Sequence, residues 1–226
     1  MWTFFTRSRF SGSSIKKGRG LAGFTVVELL VVVGIISILS AVFIFQQRRF
    51  DSSTLLRSLA YSVALSVRQA QTYGTSVRQF GTASGSFSYS YGVYFSTGDS
   101  SRYYLFADVN DNKIYDSAPV DEKVRVFAIG NGYSVDTFCG ISGSTMTCSA
   151  VCPAVLPTGV TVCSGGLTSL SIYFKRPNPD AQFYTAPSGG PYTSAYIQIT
   201  GPTGGGATRS VMVTSTGQIS VGVFGS

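Results

Sequence analysis

The chain contains no histidine in its 226 residues, and this makes acid–base catalysis and zinc binding less expected. Histidine is the commonest general acid and base and a frequent zinc ligand, so both roles lack their usual residue. Paired catalytic carboxylates in a recognisable motif are also missing. The glycine-rich stretch GPTGGG at residues 201–206 lacks the Lys-Ser/Thr pair that a Walker phosphate loop requires. We therefore expect no enzymatic activity.

Charged residues are scarce, at 12% of the chain, and the net charge of +7 is unevenly distributed. Residues 1–23 contain five basic residues and no acidic one: Arg7, Arg9, Lys16, Lys17 and Arg19. The remainder has 12 basic residues (17 minus 5) against 10 acidic ones, a net charge of +2. Because nucleic-acid binding normally needs a basic stripe or patch, DNA is not an expected partner.

A single long apolar run occupies residues 24–45 and contains no proline. As a helix it would extend about 33 Å at about 1.5 Å per residue, close to a hydrocarbon core of about 30 Å. Basic residues before such a run hold the N-terminus in the cytoplasm, so everything after residue 45 should face outward. We expect this helix to continue without a break, with Gly34, Ser37 and Ser40 as the only points where it could soften.

Two of the three interpretations of residues 1–45 rest on charge and length alone. A cleavable secretory signal is disfavoured because the basic region and the apolar run are too long and no Ala-x-Ala-like site follows. A plain signal anchor explains the length and orientation but not Glu28. An ionised residue inside a membrane helix costs about 2.5–3.5 kcal/mol on insertion scales, and such residues usually have a function.

The four cysteines, Cys139, Cys148, Cys152 and Cys163, all lie in the outward part. Their spacing lacks the paired Cys-x2-Cys units of zinc sites. In an oxidising compartment we expect two disulfides, and three connectivities are open.

The segment 46–80 continues the helical pattern. Apolar or small residues recur at the spacing of one buried helix face: Leu56, Leu59, Ala60, Val63, Ala64, Val67, Ala70, Val77 and Phe80. We expect this helix to end near residue 75, with Gly74 as a place where it frays or stops.

After Gly81 the hydrophobic period changes from 3.6 to 2. Seven segments alternate in the manner of strands: SFSYSYGVYF, RYYLFADV, KVRVFAI, TSLSIYFKR, SAYIQIT, RSVMVTS and QISVGVF. Ser215-Thr216-Gly217 predicts a hairpin turn between the last two. The fold class is α+β, with a long N-terminal helix, hydrophobic in one half and amphipathic in the other, packed on an antiparallel sheet or small sandwich of roughly six to eight strands.

The stretch DVNDNKIYD, residues 108–116, places oxygen ligands at the spacing of an EF-hand-like calcium loop. The candidate ligands are Asp108, Asn110, Asn112, the Ile114 carbonyl and Asp116, with Asp121 or Glu122 closing the shell. Lys113 occupies the position where glycine normally makes the sharp turn. The alternative is a surface turn rich in Asp and Asn.

The residues Gly23-Phe24-Thr25-Val26-Val27-Glu28, after a basic leader and before about twenty apolar residues, resemble the class III signal of type IV pilins and pseudopilins. The resemblance implies that a membrane prepilin peptidase cleaves between Gly23 and Phe24 and then N-methylates Phe24. It also implies that Glu28 pairs with the Phe24 amine of a neighbouring subunit during filament assembly. The domain organisation is then a leader (1–23), a transmembrane and filament-core helix (24–45), its amphipathic continuation (46–80) and a β-rich domain (81–226).

The resemblance implies a structural subunit that starts in the cytoplasmic membrane and ends in an extracellular filament, a fimbrium. Its partners would be itself, other pilins, the peptidase/methyltransferase and the inner-membrane assembly platform. SVRQAQ and the late SVMVTSTGQISV are loosely similar to H-type pseudopilins and transformation pilins. A type II secretion pseudopilin and a minor pilin binding DNA or a surface are therefore the alternatives. Transformation pilins of that group bind DNA with basic C-terminal residues, and Arg209 alone corresponds here.

Overall fold

The computed structural model describes residues 23–81, 87–150, 152–153, 156–202 and 208–223, and for residues 45–52 it describes the backbone alone. The chain divides into two units, Met1–Gln47 and Arg48–Ser226, each described here by itself. Residues 1–22 of the expected leader and the glycines at 204–206 lie outside the described residues. The predictions about them stay predictions.

Helical backbone is assigned over Val26–Thr75 (α1). In the second unit this helix buries one residue every three or four positions: Leu56, Ala60, Val63, Val67 and Ala70 are all at most 2% exposed. The sequence periodicity predicted this face correctly. It wrongly included Val77, which is 74% exposed because the helix ends at Thr75, before reaching it.

Eleven strands lie within the described residues. They are β1 (Ser90–Ser96), β2 (Arg102–Asp108), β3 (Lys123–Ala128), β4 (Ser134–Ser142), β5 (Thr145–Cys148), β6 (Val162–Gly165), β7 (Ser169–Phe174), β8 (Gln182–Ala186), β9 (Ser194–Thr200), β10 (Thr208–Thr214) and β11 (Ile219–Gly222). One sheet has the order β3-β2-β1-β7-β8 and the other β11-β10-β9-β4-β5-β6. Every pairing is antiparallel except β5 with β6, which is parallel.

The amphipathic part of α1 and both sheets share one hydrophobic core. Its members include Val63 from the helix, Phe95 and Ile172 from the first sheet, and Phe138 and Ile197 from the second. A smaller cluster of Cys139, Ile141, Met146, Cys148 and Tyr196 packs around β4, β5 and β9. The class is thus α+β, as predicted, with strands arranged in two sheets.

All seven segments predicted as strands form strands, but β4, β5, β6 and β8 were not predicted. Strands β5 and β6 are only four residues long and are rich in Ser, Thr, Gly and Cys. Such segments carry no alternating apolar signal. The predicted β10–β11 hairpin is present, with Gly217 at its turn in the left-handed region at φ +78°.

Gly74 has a role that the prediction of fraying missed. It is buried in the last turn of α1, where the helix backbone lies directly against β7. A β-carbon at this position would come within 2.5 Å of the Phe174 carbonyl oxygen and 2.7 Å of the Phe174 β-carbon. Glycine is therefore required by close packing of helix on sheet, not by the ending of the helix.

Candidate functional site

The apolar segment begins with a helix cap. Thr25 precedes α1, and its hydroxyl accepts a hydrogen bond from the Glu28 N–H at 3.2 Å. Its carbonyl accepts one from the Leu29 N–H at 3.1 Å. Threonine followed three residues later by glutamate is the capping-box pattern, and a carboxylate in the first turn faces the positive end of the helix dipole. The hydrogen bond at this cap comes from the Glu28 backbone, and the Thr-x-x-Glu spacing in the sequence could have signalled the helix start.

Every side chain described between Val26 and Ile44 is exposed. This stretch has 19 residues, a mean hydropathy of 2.8 and no buried part. Its length as a helix is about 28 Å, close to the hydrocarbon core of about 30 Å. Within the described part of the chain it is the one helix that could span a membrane, although signal sequences share these properties. The Ser37 hydroxyl donates to the Val33 carbonyl at 2.8 Å, so this hydroxyl is satisfied inside the helix.

The predicted calcium loop connects β2 to β3, and the sheet holds both of its ends. Asp108 is the last residue of β2, and Glu122 immediately precedes β3. The Ala107 N–H donates to the Glu122 carbonyl at 2.9 Å. Asp108 is 2% exposed and Glu122 is 1% exposed. The loop therefore begins and ends at two buried carboxylates.

Backbone N–H groups of the loop turn inward to Asp108. Its Oδ1 accepts from the Asn112 N–H at 3.0 Å and its Oδ2 from the Lys113 N–H at 3.1 Å. The Ser90 hydroxyl donates to the same Oδ2 at 3.3 Å. Lys113 adopts φ +70°, the left-handed conformation in which glycine would be free of steric cost. The loop thus makes its sharp turn with a lysine in glycine's usual place.

Glu122, and not Asp121, turns into the loop. Its Oε1 accepts from the Val109 N–H at 2.8 Å, and its Oε2 accepts from the Asp116 N–H at 3.1 Å. The Asp121 carboxylate is exposed; it pairs with the Lys123 ammonium at 2.9 Å and accepts from the Tyr115 hydroxyl at 3.2 Å. The sequence left open whether Asp121 or Glu122 closes the loop. In the structure it is the Glu122 carboxylate that binds the loop backbone.

The middle of the loop is closed by side-chain amides. Asp116 Oδ2 accepts from Asn110 Nδ2 at 2.9 Å and from Asn112 Nδ2 at 2.6 Å. The Ile114 N–H donates to Asn112 Oδ1 at 2.8 Å. The structure therefore brings Asn110, Asn112 and Asp116 together, with their amide nitrogens directed at the carboxylate.

Two carboxylates of the loop are buried without a basic side chain as partner among the described residues. Burial raises the pKa of Asp108 and the pKa of Glu122, and backbone N–H donors offset part of each increase. The charge of Asp108 raises the pKa of Glu122 further. None of the ion pairs formed by the described residues includes either carboxylate. Two buried, mutually repelling carboxylates without a basic partner form a set of hard oxygen donors that suits Ca²⁺.

The carboxylate oxygens of the described loop residues are not all within 4.8 Å of one another. Among the described residues, one set of three metal-ligating groups has its atoms within 4.8 Å of one another, and it consists of Cys148, Cys152 and Cys163. Those sulfurs belong to disulfides, so they are not thiolate ligands. A cation bound by Asp108, Asp116 and Glu122 would have to draw these groups closer and turn the asparagine amides.

The disulfide connectivity is Cys139–Cys148 and Cys152–Cys163, one of the three that the sequence left open. The first bridge joins residues directly opposite each other on β4 and β5. The second links β6 to the connection that precedes it. The expectation of two disulfides is therefore confirmed.

Arg209 lies in a groove of about 310 Å³ between α1 and the β10–β11 hairpin. Arg57, Tyr61 and Val221 share this groove, and the lining that the structure describes includes no acidic residue. The Arg209 guanidinium donates to the Thr208 carbonyl at 3.4 Å. Two arginines form a smaller positive surface than a nucleic-acid footprint normally has.

No protein-family model matches the chain, and neither a curated protein nor a solved structure matches it significantly.

Proposed function

We propose that the chain is a prepilin, cleaved after Gly23 and assembled through its N-terminal helix into a type IV pilus-like extracellular filament. The observation that carries this proposal is Gly23-Phe24 directly before a capped apolar helix that contains Glu28 in its first turn. A plain membrane anchor needs a hydrophobic helix of this length but no acidic residue and no Gly-Phe junction. The processed and assembled helix uses all three features.

Cleavage after Gly23 creates a new ammonium at Phe24, one helical turn from Glu28. In a bundle of many copies, the Glu28 carboxylate of one subunit pairs with the Phe24 amine of the next. An unpaired charge in an apolar environment is costly, and pairing the two removes much of that cost. The exposed side chains of Val26–Ile44 then become the apolar core of the filament. We also propose that α1 stays continuous between its apolar and amphipathic parts, since it contains no proline.

The subunit begins in the cytoplasmic membrane with its N-terminus inside and finishes on the cell surface. Its partners are further copies of itself, other pilins, the prepilin peptidase and an inner-membrane platform. A pseudopilin of a type II secretion apparatus uses the same helix in a short filament and is the alternative. A minor pilin that binds DNA is less favoured, because Arg57 and Arg209 are the only cations among the described residues that line the groove in which Arg209 lies.

Substitutions at Glu28 test the proposal in cells that assemble the filament. Glu28→Ala removes both the charge and the capping-box side chain. Glu28→Gln removes the charge but keeps a residue that suits the capping box. We expect both variants to insert into the membrane normally and both to be depleted from filaments. Depletion of Glu28→Ala alone would show that the cap matters and would contradict the charge pairing.

We also propose that the 108–122 loop binds Ca²⁺ through Asp108, Asp116 and Glu122, with oxygens of Asn110, Asn112 and Ile114 completing the shell. The cation would neutralise the two buried carboxylates and fix the loop against the sheet. Extracellular calcium modules have dissociation constants of about 10⁻⁴–10⁻³ M. At about 10 mM Ca²⁺ this corresponds to roughly 1.4–2.7 kcal/mol of stabilisation, because binding stabilises by RT ln(1 + [L]/Kd).

The calcium proposal is tested by thermal melting of the full chain in detergent, in Ca²⁺ and in chelator. A domain of this size should gain about 3–10 °C in Ca²⁺ at about 2–4 °C per kcal/mol. Glu122→Gln should lose most of this gain. Asp121→Asn is the matched control, because it makes the same change on the neighbouring, exposed residue and should keep the gain. An equal melting temperature of the unsubstituted protein in Ca²⁺ and in chelator would remove the proposal.

A further inference from the structure

The two disulfides differ in their access to solvent. Cys139 and Cys148 are both 0% exposed and belong to the small cluster around β4 and β5. Cys152 and Cys163 are only partly buried. Thiol–disulfide exchange requires a thiolate to reach a disulfide sulfur, so accessibility controls which bridge reacts. A thiol in solution can therefore approach the Cys152–Cys163 bridge but not the Cys139–Cys148 bridge.

The two bridges are nevertheless in contact through their sulfur atoms. Cys148 Sγ lies 3.7 Å from Cys163 Sγ, although the two belong to different disulfides. The sulfurs of Cys148, Cys152 and Cys163 all lie within 4.8 Å of one another. These three sulfurs form a cluster, and Cys139 is attached to it through Cys148.

The strand register explains this contact. Strands β5 and β6 run parallel, with Cys163 opposite Met146. Cys148 is two residues after Met146, so its side chain lies on the same face of the sheet as that of Cys163. Because the register of a sheet with a buried face is strongly fixed, the two sulfurs are held near each other by the fold itself.

We propose that the cluster of Cys148, Cys152 and Cys163 is a site of thiol–disulfide exchange, through which a small thiol in solution gains access to the buried bridge. In the first step the external thiolate attacks Cys152 Sγ. A bond forms between the sulfur of the external thiol and Cys152 Sγ. The Cys152–Cys163 bond breaks and leaves Cys163 as a thiolate. In the second step Cys163 attacks Cys148 Sγ, the Cys148–Cys163 bond forms and the Cys139–Cys148 bond breaks. Cys139 leaves as a thiolate, and the proton that the external thiol lost on ionising balances its conversion to the thiol.

Each step breaks one disulfide and forms another, so the number of disulfides stays the same. No oxidant or reductant other than the external thiol is required. The released Cys139 lies directly across from Cys148 on the adjacent strand, so it can reverse the second step. Reversal of the second step frees Cys163, which attacks Cys152 Sγ and expels the external thiol, so the native pairing is restored when that thiol is removed. The inference concerns the outward domain and is independent of the proposed filament.

Two single substitutions test the site, because they remove the same bridge but leave different thiols. In Cys139→Ser the unpaired thiol is Cys148, inside the cluster. We expect it to displace Cys152 and bind Cys163, so that peptide mapping of the full chain finds a Cys148–Cys163 link and alkylated Cys152. In Cys148→Ser the unpaired thiol is Cys139, which is outside the cluster. We expect the Cys152–Cys163 link to stay intact and Cys152 to resist alkylation.

An intact Cys152–Cys163 bridge in both folded variants would overturn the proposal. If loss of the buried bridge prevents folding, both variants fail alike and the unsubstituted protein supplies the test. It is incubated with limiting glutathione, quenched in acid and mapped by mass spectrometry. The expected products are glutathione on Cys152 and a Cys148–Cys163 link with free Cys139. Absence of that link, or opening of Cys139–Cys148 while Cys152–Cys163 persists, would contradict the exchange route.

Discussion

Replacing Gly74 by alanine tests whether close packing of α1 on β7 holds the helix to the sheet. Alanine is the better helix former, so the substitution gains about 1 kcal/mol from propensity alone. The added β-carbon, however, would lie 2.5 Å from the Phe174 carbonyl oxygen and 2.7 Å from the Phe174 β-carbon. Overpacking of this kind typically costs about 1–3 kcal/mol, and here backbone atoms of β7 must move. Because backbone atoms must move, the cost lies in the upper part of that range, about 2–3 kcal/mol. We therefore expect a net destabilisation of about 1–2 kcal/mol, or a melting temperature lower by about 2–8 °C.

Gly34→Ala is the control, because it makes the same change at another helical position, where the β-carbon would meet nothing within 4 Å. The measurement is thermal unfolding of the full chain in detergent, with the melting of the β-rich domain monitored by circular dichroism. Gly34→Ala should leave the melting temperature of that domain unchanged. A Gly74→Ala variant as stable as the parent would refute the close contact between helix and strand.

Two further predictions concern the core and the alkaline limit of stability. Leu56→Ala removes a side chain that is 2% exposed and should destabilise by about 2–5 kcal/mol in urea denaturation. Leu65→Ala, at a position 68% exposed on the same helix, should change stability by less than about 0.5 kcal/mol; equal losses would contradict the assigned buried face. Burial raises the pKa of Tyr103 in the folded protein. The stability that the protonated Tyr103 contributes is therefore complete below the unfolded pKa of about 10, and it is lost as pH rises through the folded pKa. Stability should therefore fall above about pH 10, and Tyr103→Phe should make that fall shallower; an unchanged slope would count against this titration.

The sequence predicted the helix face and seven of the strands because both depend on local periodicity. Leu56, Val63 and Val67 recur at helix spacing, and β1 places Tyr91, Val93 and Phe95 at every second position. Strands β5 and β6 could not be predicted in this way. Their pairing depends on contacts between distant residues and on the disulfides, and four-residue segments rich in Ser and Thr resemble turns.

The candidate sites were predictable to different degrees. The loop positions Asp108, Asn110 and Asn112 have a known ligand spacing, so the sequence signalled them. The distinct orientations of Asp121 and Glu122 depend on where β3 begins and on backbone donors across the loop, which spacing alone does not encode. The contact between the two disulfides likewise requires the β5–β6 register, and no local motif specifies that register.

The mass of the mature N-terminus tests the central claim most directly. The full chain is produced together with a prepilin peptidase, isolated from the membrane and analysed by mass spectrometry of intact protein and of its N-terminal peptide. The account predicts a chain that begins at Phe24 and carries one N-methyl group, while Phe24 and Glu28 stay in the mature protein. A chain that retains Met1, or one cleaved beyond Glu28 so that the apolar helix is lost, would contradict it.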